Sequence, residues 1–377
     1  MLLTQEQRLI QENTRLLANK VIRPFASNWA KDKIFPSDAL LALSQAGLMG
    51  MLVPTAWQGT EIDYVSYVLV MMELAKADGA LSTIVSVHNS VATLPILHFG
   101  TDAQKNQFLI PMAKGDMLGA FCLSEPQAGS DAANIQTKAI KKDNYYVLNG
   151  VKQFVTSGQH ADVAIVFAKT DPSQNGKGIS AFIVPTRTKG YSVAKIENKM
   201  GQHASEIAQV VFDDLIIPAD NLLGELGEGY KIALSNLETG RLGIAAQAIG
   251  MAHEALDLSI AYAKERKTFG KHLYEHEAIS FRLADMATQL MAATQLLFHA
   301  ATLKDNNVPC LKEASMAKLF ASEMAENVCR EAIQIYGGYG YLQDFPIERI
   351  YRDVRVTSIY EGTSDIQRLI IGRELIK

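Results

Sequence analysis

One carboxylate stands at a predicted bend close to the C-terminus of the 377-residue chain. Glu361 follows a run of β-branched and aromatic residues, and Gly362 comes directly after it. Thr363 has the type and position of an N-cap for a short last helix. A carboxylate at such a bend can point into a cavity and act as a general base. Because a Glu-Gly pair is more often a solvated turn, the rest of the chain has to decide between the two interpretations.

A second segment with ligand-binding chemistry precedes the middle of the chain. Pro126 and Gly129 enforce a loop within residues 121–131, and Ser124 and Ser130 place hydroxyl groups on either side of it. Taken alone, this segment fits a plain turn as well as a functional loop.

Two helix ends carry further candidate groups. Residues 334–341 end a helical pattern in consecutive glycines, which either stop the helix or let the backbone lie against a planar or phosphate-bearing ligand. Arg266 and Lys267 stand at another predicted helix end, where two cations also stabilise the helix dipole.

Several catalytic motifs begin in this sequence without being completed. Residues 227–232 start like a dinucleotide fingerprint but end in Ile232 where the third glycine is needed. His253 and His276 each precede a glutamate, as in a zinc-binding helix, but the second histidine of that motif is missing. The sequence therefore disfavours nicotinamide, zinc and acyl-serine chemistry, and we predict no metal site.

Composition indicates an ordinary globular enzyme with 48% hydrophobic and 20% charged residues. The net charge is −4 without a basic block, which disfavours nucleic acid as a partner. No apolar run reaches the roughly 18 residues of a membrane span, so we expect no membrane insertion. The N-terminus shows neither a signal nor a transit pattern, and we expect a cytoplasmic protein. Cys122, Cys310 and Cys329 form no CxxC pair, which predicts small buried thiols in a reducing compartment.

The periodicity divides the chain into three parts. Up to about residue 117 the pattern is helical, with capping boxes predicted at Thr4 with Gln7 and at Thr101 with Gln104. Long amphipathic stretches return after the middle segment, and helices joined by short loops usually form an antiparallel bundle. These stretches cover residues 229–264, 278–304 and 311–336.

The residue pattern of the middle segment predicts β-strands. Residues 145–148 and 151–156 flank Asn149-Gly150, which predicts a hairpin with a type I′ turn. Shorter strand-like runs follow at 163–168, 179–184, 191–196, 208–212 and 215–217. Short strands without helices between them indicate an antiparallel barrel or sandwich. We therefore predict an α+β multi-domain fold with an all-α domain (1–117), a β-domain (118–226) and a four-helix-bundle domain (227–377).

In this order, the motifs resemble those of the acyl-CoA dehydrogenase family over essentially the whole chain. The resemblance is carried by the Ser124–Ser130 loop, a strand ending in Thr156, Arg266 with Phe269-Gly270, the glycine cluster at 334–338, and Tyr360-Glu361-Gly362-Thr363. It implies that FAD lies between the β-domain and the bundle and that an acyl-CoA thioester is oxidised to trans-2-enoyl-CoA. Glu361 would take the α-proton while the β-hydrogen leaves as hydride to flavin N5.

An α-proton beside a thioester is weakly acidic, so the enolate-like charge must be stabilised where it forms. Preorganised donors supply about 3–4 kcal/mol each in known oxyanion sites. The resemblance implies that the donors are the Glu361 backbone N–H and a flavin ribityl hydroxyl. A dry pocket should also raise the basicity of the carboxylate.

The resemblance also implies contacts to FAD and to CoA. The FAD contacts are Phe121, Cys122, Leu123, Ser124, Ser130, Phe154, Val155, Thr156, Arg266, Glu277, Gln334, Ile335, Tyr336, Gly337, Gly338, Thr363, Ser364 and Asp365. The substrate contacts are Ser130, Glu238, Thr239, Gly240, Arg241 and Gly362, with Arg241 as a phosphate partner or, alternatively, in a helix-face salt bridge. Because Arg266 matches a residue that reaches FAD in a neighbouring subunit, a homotetramer built as a dimer of dimers is implied.

Three positions depart from the pattern of many relatives. Phe154 replaces a tryptophan and keeps an aromatic plane. Glu277 replaces a glutamine that contacts FAD, and a carboxylate near a pyrophosphate is unfavourable without a cation. Gly240 stands where some relatives carry the base, which leaves that role to Glu361.

Three functions stay open at this point. The first is a short-chain or short branched-chain acyl-CoA dehydrogenase that passes electrons to an electron-transfer flavoprotein. The second is an acyl-CoA oxidase that uses O₂, and the third is a non-catalytic acyl- or flavin-binding scaffold. The acyl chain length is not readable, because Val87, Val91 and Leu94 fit a pocket lining or, as we favour, plain core.

Overall fold

The computed structural model describes residues 2–174 and 176–377, so Asn175 and Met1, with which the predicted first domain begins, lie outside it. The described elements follow the predicted order of helices, strands and helices. The first helices are α1 (Gln5–Val21), α2 (Ala26–Asp32), α3 (Ser37–Gln45), α4 (Tyr64–Ala77), α5 (Gly79–Val87), α6 (Thr93–Phe99), α7 (Asp102–Gln104) and α8 (Ile110–Lys114).

Both predicted capping boxes are confirmed. Thr4 Oγ1 accepts from the backbone N–H of Gln7 at 3.1 Å, and Gln7 Oε1 accepts from the N–H of Thr4 at 3.0 Å. Thr101 and Gln104 make the same reciprocal bonds at the start of α7. These bonds satisfy N–H groups that have no partner inside the helix.

Helices α5 and α6 form one long apolar segment with a π-helical turn, His88–Ala92, between them. In the described part of the chain, Gly79–Phe99 is the one helix long and apolar enough to cross a membrane. Of the 18-residue apolar stretch within it, 89% is buried inside the protein. A core helix has the same composition, so the segment is weak evidence for a span.

The middle segment forms one mainly antiparallel sheet in the order β6-β7-β3-β2-β4-β5-β8, and β1 pairs with β4 in parallel. The strands are β1 (Gly119–Cys122), β2 (Lys138–Lys142), β3 (Tyr145–Thr156), β4 (Val163–Lys169), β5 (Ile179–Pro185), β6 (Tyr191–Ile196), β7 (Ile207–Pro218) and β8 (Leu222–Leu223).

The predicted hairpin at Asn149-Gly150 is wrong, because β3 runs straight through this dipeptide. The register between β3 and β7 shifts there, and the side-chain amide of Asn149 bonds both the N–H and the carboxylate of Asp214, at 2.8 and 2.9 Å. A Cβ on Gly150 would come within 2.4 Å of Thr137 Oγ1, so the glycine serves close packing in a bulge. The chain reverses earlier, between Lys142 and Tyr145. Likewise, the predicted runs 208–212 and 215–217 belong to the single strand β7.

An ion pair is completely buried beneath this sheet. Lys152 has no exposed side-chain surface, and its Nζ donates to Glu125 Oε1 at 2.8 Å and to the Leu123 carbonyl at 3.0 Å. The Glu125 carboxylate also accepts from two backbone N–H groups. Burial alone would raise the pKa of Glu125, but Lys152 and these N–H donors lower it to about 2. Because Glu125 follows Ser124 directly, the pair fixes the loop that carries this serine.

The C-terminal helices lie where the sequence predicts them, to within one residue at each end of the three long stretches. They are α9 (Gly229–Glu265), α10 (Glu277–Asp305) and α11 (Leu311–Tyr336), followed by α12 (Pro346–Val354) and α13 (Ser364–Leu375). A two-stranded ribbon of β9 (Lys267–Thr268) and β10 (Lys271–His272) precedes α10.

One apolar cluster joins the first and last helices into a common core. It contains Leu69 and Met71 of α4, Leu242 and Ile249 of α9, and Val328 of α11. Within the C-terminal bundle, helix α9 packs on both α4 and α11, and the chain after α12 returns to the buried face of α9.

Replacing Lys152 with Met should leave the Glu125 carboxylate buried without its cation. Removing one partner of a buried pair costs about 3–5 kcal/mol, so the free energy of unfolding at pH 7 should fall by that amount. Urea unfolding followed by circular dichroism measures the change. Lys142→Met, on the exposed part of β2, is the matched control and should change the unfolding free energy by less than about 0.5 kcal/mol. A loss below about 1 kcal/mol in Lys152→Met would contradict this account of the loop.

Candidate active site

The bend at Glu361 is a left-handed turn between two helical segments. Glu361 has φ 51° and Gly362 has φ 90°, so two consecutive residues adopt a conformation that favours glycine. Thr363 is the N-cap of α13, and its Oγ1 accepts from the N–H of Ile366 at 3.3 Å. The predicted bend and cap are therefore present.

Tyr360, the residue before Glu361, anchors the bend to α9. The hydroxyl of Tyr360 donates to Oε1 of Gln247 on α9. The amide group of Gln247 in turn donates to the carbonyl of Gly79 at 2.7 Å, where α5 begins. The bend is thus tied to α9 and, through Gln247, to the start of α5.

The Glu361 carboxylate is buried and unpaired. Both of its oxygens are shielded from solvent, and neither has a hydrogen-bond partner among the described residues. Burial raises the pKa of Glu361 to about 7, while the positive charges of Lys318 and Arg241 act in the opposite direction. A buried carboxylate without hydrogen bonds costs stability, and such a cost is typical of functional sites.

The carboxylate lies directly against the backbone of α9 at Gly240. A Cβ built on Gly240 would come within 1.9 Å of Glu361 Oε2 and 2.8 Å of its Cδ. Any side chain at residue 240 would therefore occupy the space of this carboxylate. The glycine is needed at this position for steric reasons.

One turn further on, the same face of α9 has a second glycine, Gly243. A Cβ on Gly243 would meet Ser86 Oγ at 2.5 Å and Tyr67 Oη at 2.7 Å. Tyr67 and Ser86 are fully buried. Gly240 and Gly243, here called the glycine face of α9, thus lie beside the carboxylate at one end and beside two hydroxyl groups at the other.

The remaining predicted substrate contacts on α9 lie in different environments. Arg241 is 4% exposed, and its Nε and Nη1 have no partner in the described part of the chain, so the alternative of a helix-face salt bridge is absent there. Its predicted phosphate contact stays a prediction. Glu238 pairs with Lys304, and Thr239 is buried. Ser130 is exposed in its loop.

The loop and strand predicted to face the flavin are brought together. The N–H of Gln153 donates to the carbonyl of Ser124 at 2.9 Å, which joins the loop to β3. Phe154 has φ 61° and is 65% exposed, so an aromatic ring stands free beside Ser124. Thr156 is half-buried. The side chains of Cys122, Leu123 and Val155 are buried, and Phe121 packs edge-to-face on Phe167.

The groups predicted to hold the far end of the cofactor lie at helix ends. Gly337 and Gly338 have open space where a Cβ would stand, and Gln334 is exposed, whereas the side chains of Ile335 and Tyr336 are in the core. Arg266 lies over the ring of Tyr339 at 5.6 Å.

The three remaining predicted cofactor residues stand at helix starts. Glu277 is the exposed first residue of α10, where a carboxylate favours the helix dipole. In α13, Ser364 Oγ is buried without a protein partner, while Asp365 is exposed.

Two residues that contact the bend were not predicted from the sequence. Lys318 on α11 donates from Nζ to the Gly362 carbonyl at 2.6 Å, and Gln367 donates to the same oxygen at 2.9 Å. A signal was available for Lys318, because it falls on the apolar face of α11 with Ala314 and Ala321 at helical spacing. A lysine at such a position has to find a partner inside the protein.

The three cysteines are buried and free, as predicted. In the ranges that the structure covers, no group of three or more His, Cys, Asp or Glu residues could hold a metal ion.

These features define a three-part fold with a buried carboxylate at a bend of its last part. Comparison with known proteins finds a family with the same three parts. Family profiles for acyl-CoA dehydrogenase match residues 4–116 (N-terminal domain), 120–215 (middle domain) and 227–376 (C-terminal domain). The chain therefore belongs to the acyl-CoA dehydrogenase family, and its predicted family, fold class and enzyme class are confirmed.

Individual relatives agree over the full length. The mitochondrial short-chain specific acyl-CoA dehydrogenase of Bos taurus is 45% identical over 375 residues, covering 100% of this chain and 91% of that protein. Butyryl-CoA dehydrogenase from Megasphaera elsdenii superposes with a TM-score of 0.98 at 41% identity, with 100% of both chains covered. A chain solved in work on the electron transferring flavoprotein of Acidaminococcus fermentans gives 0.99 at 42%, covering 100% of this chain and 99% of that one.

Members of this family are FAD-dependent, which confirms the predicted cofactor. The residues of this chain fit such a group. An exposed aromatic ring at Phe154, open backbone at Gly337 and Gly338, and the buried, unpartnered hydroxyl of Ser364 are features that a bound planar dinucleotide would use.

Replacing Gly240 with Ala should displace the Glu361 carboxylate, because the new Cβ would overlap Oε2. A displacement of about 1 Å typically costs about 100-fold in rate, so kcat should fall by at least that factor. Steady-state kinetics with an artificial electron acceptor measures it.

Gly372→Ala is the matched control for this substitution. Gly372 is an exposed helical glycine of α13 with open space around the new Cβ, so this variant should keep full activity. Equal kcat values in both variants would show that the carboxylate does not need the space at Gly240.

Proposed function

We propose that this protein oxidises a short-chain or short branched-chain acyl-CoA to trans-2-enoyl-CoA, with Glu361 as the base that takes the α-proton. The observation that carries the proposal is the Glu361 carboxylate, which is buried, unpaired and held against Gly240. A carboxylate with a structural role would have hydrogen-bond donors, as Glu125 has.

The surroundings of Glu361 suit proton abstraction from a weak carbon acid. With its pKa raised to about 7, the carboxylate is a stronger base than an ordinary glutamate, and about half of it is ionised at neutral pH. The backbone N–H of Glu361 makes no hydrogen bond to any described residue, so it is free to donate to a thioester oxygen. A preorganised donor stabilises the charge that forms on that oxygen by several kcal/mol.

The residues proposed to hold FAD lie on the β-part, at the ends of the bundle helices and just after the base. When bound, FAD supplies the hydride acceptor of the reaction. Phe154 offers an aromatic plane on one side, Ser124 and Thr156 offer hydroxyl groups, and Arg266 offers a positive charge for the pyrophosphate. The role of Glu277 stays a proposal, because an exposed carboxylate at this end needs a cation to offset it.

Two observations favour a short acyl group. The hydroxyls of Tyr67 and Ser86 close the glycine face about 4.5 Å along α9 from Gly240, the rise of three helical residues. The similar proteins named above include a short-chain specific and a butyryl-CoA enzyme.

Three other buried side chains fit the same assignment. Val87, Val91 and Leu94 are buried, which fits an acyl-pocket lining as well as the core role favoured from sequence. For CoA, we retain Ser130, Glu238, Thr239, Gly240, Arg241 and Gly362 as proposed contacts.

We further propose an electron-transfer flavoprotein as the electron acceptor, a homotetramer as the assembly and the cytoplasm as the location. The structural similarity to a chain from work on such a flavoprotein supports the first. Exposed apolar side chains support an assembly, since Phe269 beside Arg266 is 97% exposed and Phe281 on α10 is 63% exposed. The three free, buried thiols suit a reducing compartment.

Replacing Glu361 with Gln should abolish the reaction and leave cofactor binding intact, since the amide keeps the size of the carboxylate and loses its basicity. General bases contribute about 10²–10⁴-fold, so flavin bleaching by butyryl-CoA under anaerobic conditions should slow by at least that range. The visible absorbance of the protein before addition reports bound FAD.

The wild-type protein and a panel of short straight and branched acyl-CoA substrates complete this experiment. A Glu361→Gln variant that bleaches at the wild-type rate would exclude Glu361 as the base. Hydrogen peroxide released during aerobic turnover of the wild type would favour the oxidase, and a colourless protein without affinity for CoA thioesters would favour the scaffold.

The pH dependence follows from the raised pKa of Glu361. Only the deprotonated carboxylate accepts a proton, so kcat/KM should rise with pH and level off above the pKa, with its midpoint near 7. Initial rates with butyryl-CoA and ferrocenium between about pH 5.5 and 9 measure this profile. A profile that is flat through this range would contradict a base of this pKa.

A further inference from the structure

A buried lysine beside the base has no role in the chemistry described above. Lys318 lies in the first third of α11 with no exposed side-chain surface. Burial lowers the pKa of Lys318 to about 8, and the Glu361 charge opposes that change. Removing an ammonium group from water is costly, so a lysine at this position needs compensating interactions inside the protein.

The compensating interaction is a hydrogen bond to the bend itself. Nζ of Lys318 donates to the Gly362 carbonyl at 2.6 Å, the short distance expected of a charged donor. The same carbonyl accepts from Nε2 of Gln367 at 2.9 Å, and Gln367 reaches the Glu361 carbonyl at 3.3 Å. Both side chains are fully buried, so water does not compete for these carbonyl groups.

The bend needs such support because its backbone is strained. A non-glycine residue in the left-handed region, such as Glu361 at φ 51°, is strained and persists only where neighbouring groups hold it. Relaxing Glu361 to an ordinary φ would rotate its side chain away from Gly240. Helix α11 is a rigid support, since Ala314, Ala317 and Ala321 pack its face into the main core.

We propose that Lys318 is a positioning residue for the base, which holds the Gly362 carbonyl so that the Glu361 carboxylate stays against Gly240. The proposal rests on the proposed function, in which Glu361 takes the proton. Lys318 does not touch the reacting atoms in this assignment, and it acts on the reaction through the backbone of the bend.

The charge of Lys318 adds a second, separable effect. Four charged or titratable groups surround the Glu361 carboxylate and are coupled to it: Lys318 from α11, Arg241 from α9, Tyr67 from α4 and the adjacent Tyr360. Of these, the two cations lower the pKa of Glu361. Loss of Lys318 should therefore raise that pKa and leave Arg241 as the remaining cation.

Lys318→Met tests both effects, because methionine fills much of the space without a donor or a charge. We expect kcat to fall by about 100-fold with KM within about threefold, as for a base moved by about 1 Å. The midpoint of the kcat/KM profile should move to higher pH by about one unit. Lys318→Arg keeps donor and charge and should recover at least about tenfold of the lost kcat.

Two further measurements separate positioning from general damage. Lys312→Met, on the first turn of α11 and away from the bend, is the matched control and should leave kcat and the pH profile unchanged. Infrared spectroscopy of the substrate-free protein should show a protonated-carboxyl band that is absent from Glu361→Gln. The titration midpoint of that band should rise in Lys318→Met.

The outcomes decide the proposal. A Lys318→Met variant with kcat within about threefold of wild type, or with its loss confined to KM, would overturn it. If this variant does not fold or does not hold flavin, Gln367→Leu takes its place. A fall in kcat of about tenfold without a change in the pH midpoint then supports the proposal, and an unchanged kcat overturns it. A wild-type protein that fails to bleach with any short acyl-CoA would instead refute the proposed function.

Discussion

The contact between the Glu361 carboxylate and the backbone of α9 is the constraint on which the rest of the site depends. A Cβ at residue 240 would lie only 1.9 Å from Glu361 Oε2 and would overlap it, so only glycine fits there. The contact also requires that the bend keep two left-handed residues and that α9 stay between the first and last helices. Each requirement has a visible cause, in the anchoring of Tyr360 on Gln247, the cap at Thr363 and the shared apolar core.

Glu125 and Glu361 are two carboxylates that the protein shields from solvent in opposite ways. Glu125 accepts from Lys152 and from backbone N–H groups, so its charge is satisfied and its pKa is lowered to about 2. Glu361 has two cations in its surroundings but no hydrogen bond, and its pKa is raised to about 7. Hydrogen bonds to the charged form keep the pKa of Glu125 low, whereas burial without such bonds raises the pKa of Glu361.

The correspondence between sequence and structure was good where a pattern is local. Capping boxes, the three long helices and the N-cap at Thr363 agreed because neighbouring residues determine them. The Asn149-Gly150 prediction failed for a non-local reason. This dipeptide suits a type I′ turn by its own conformational preference, but the pairing of β3 with β7 and the contact with Thr137 use the glycine for close packing in a bulge.

By itself, the sequence determined the three-part order of helices and strands, the position of the carboxylate at a glycine bend, and the absence of a competing side chain at Gly240. All three depend on residue type and local spacing. Only the tertiary structure decided that the Gly240 backbone and the Glu361 carboxylate touch, that Arg241 is buried beside this carboxylate, and that Lys318 donates to the Gly362 carbonyl. Desolvation and charge coupling arise from atoms far apart in the chain, so their effect on Glu361 becomes visible only when the helices are packed.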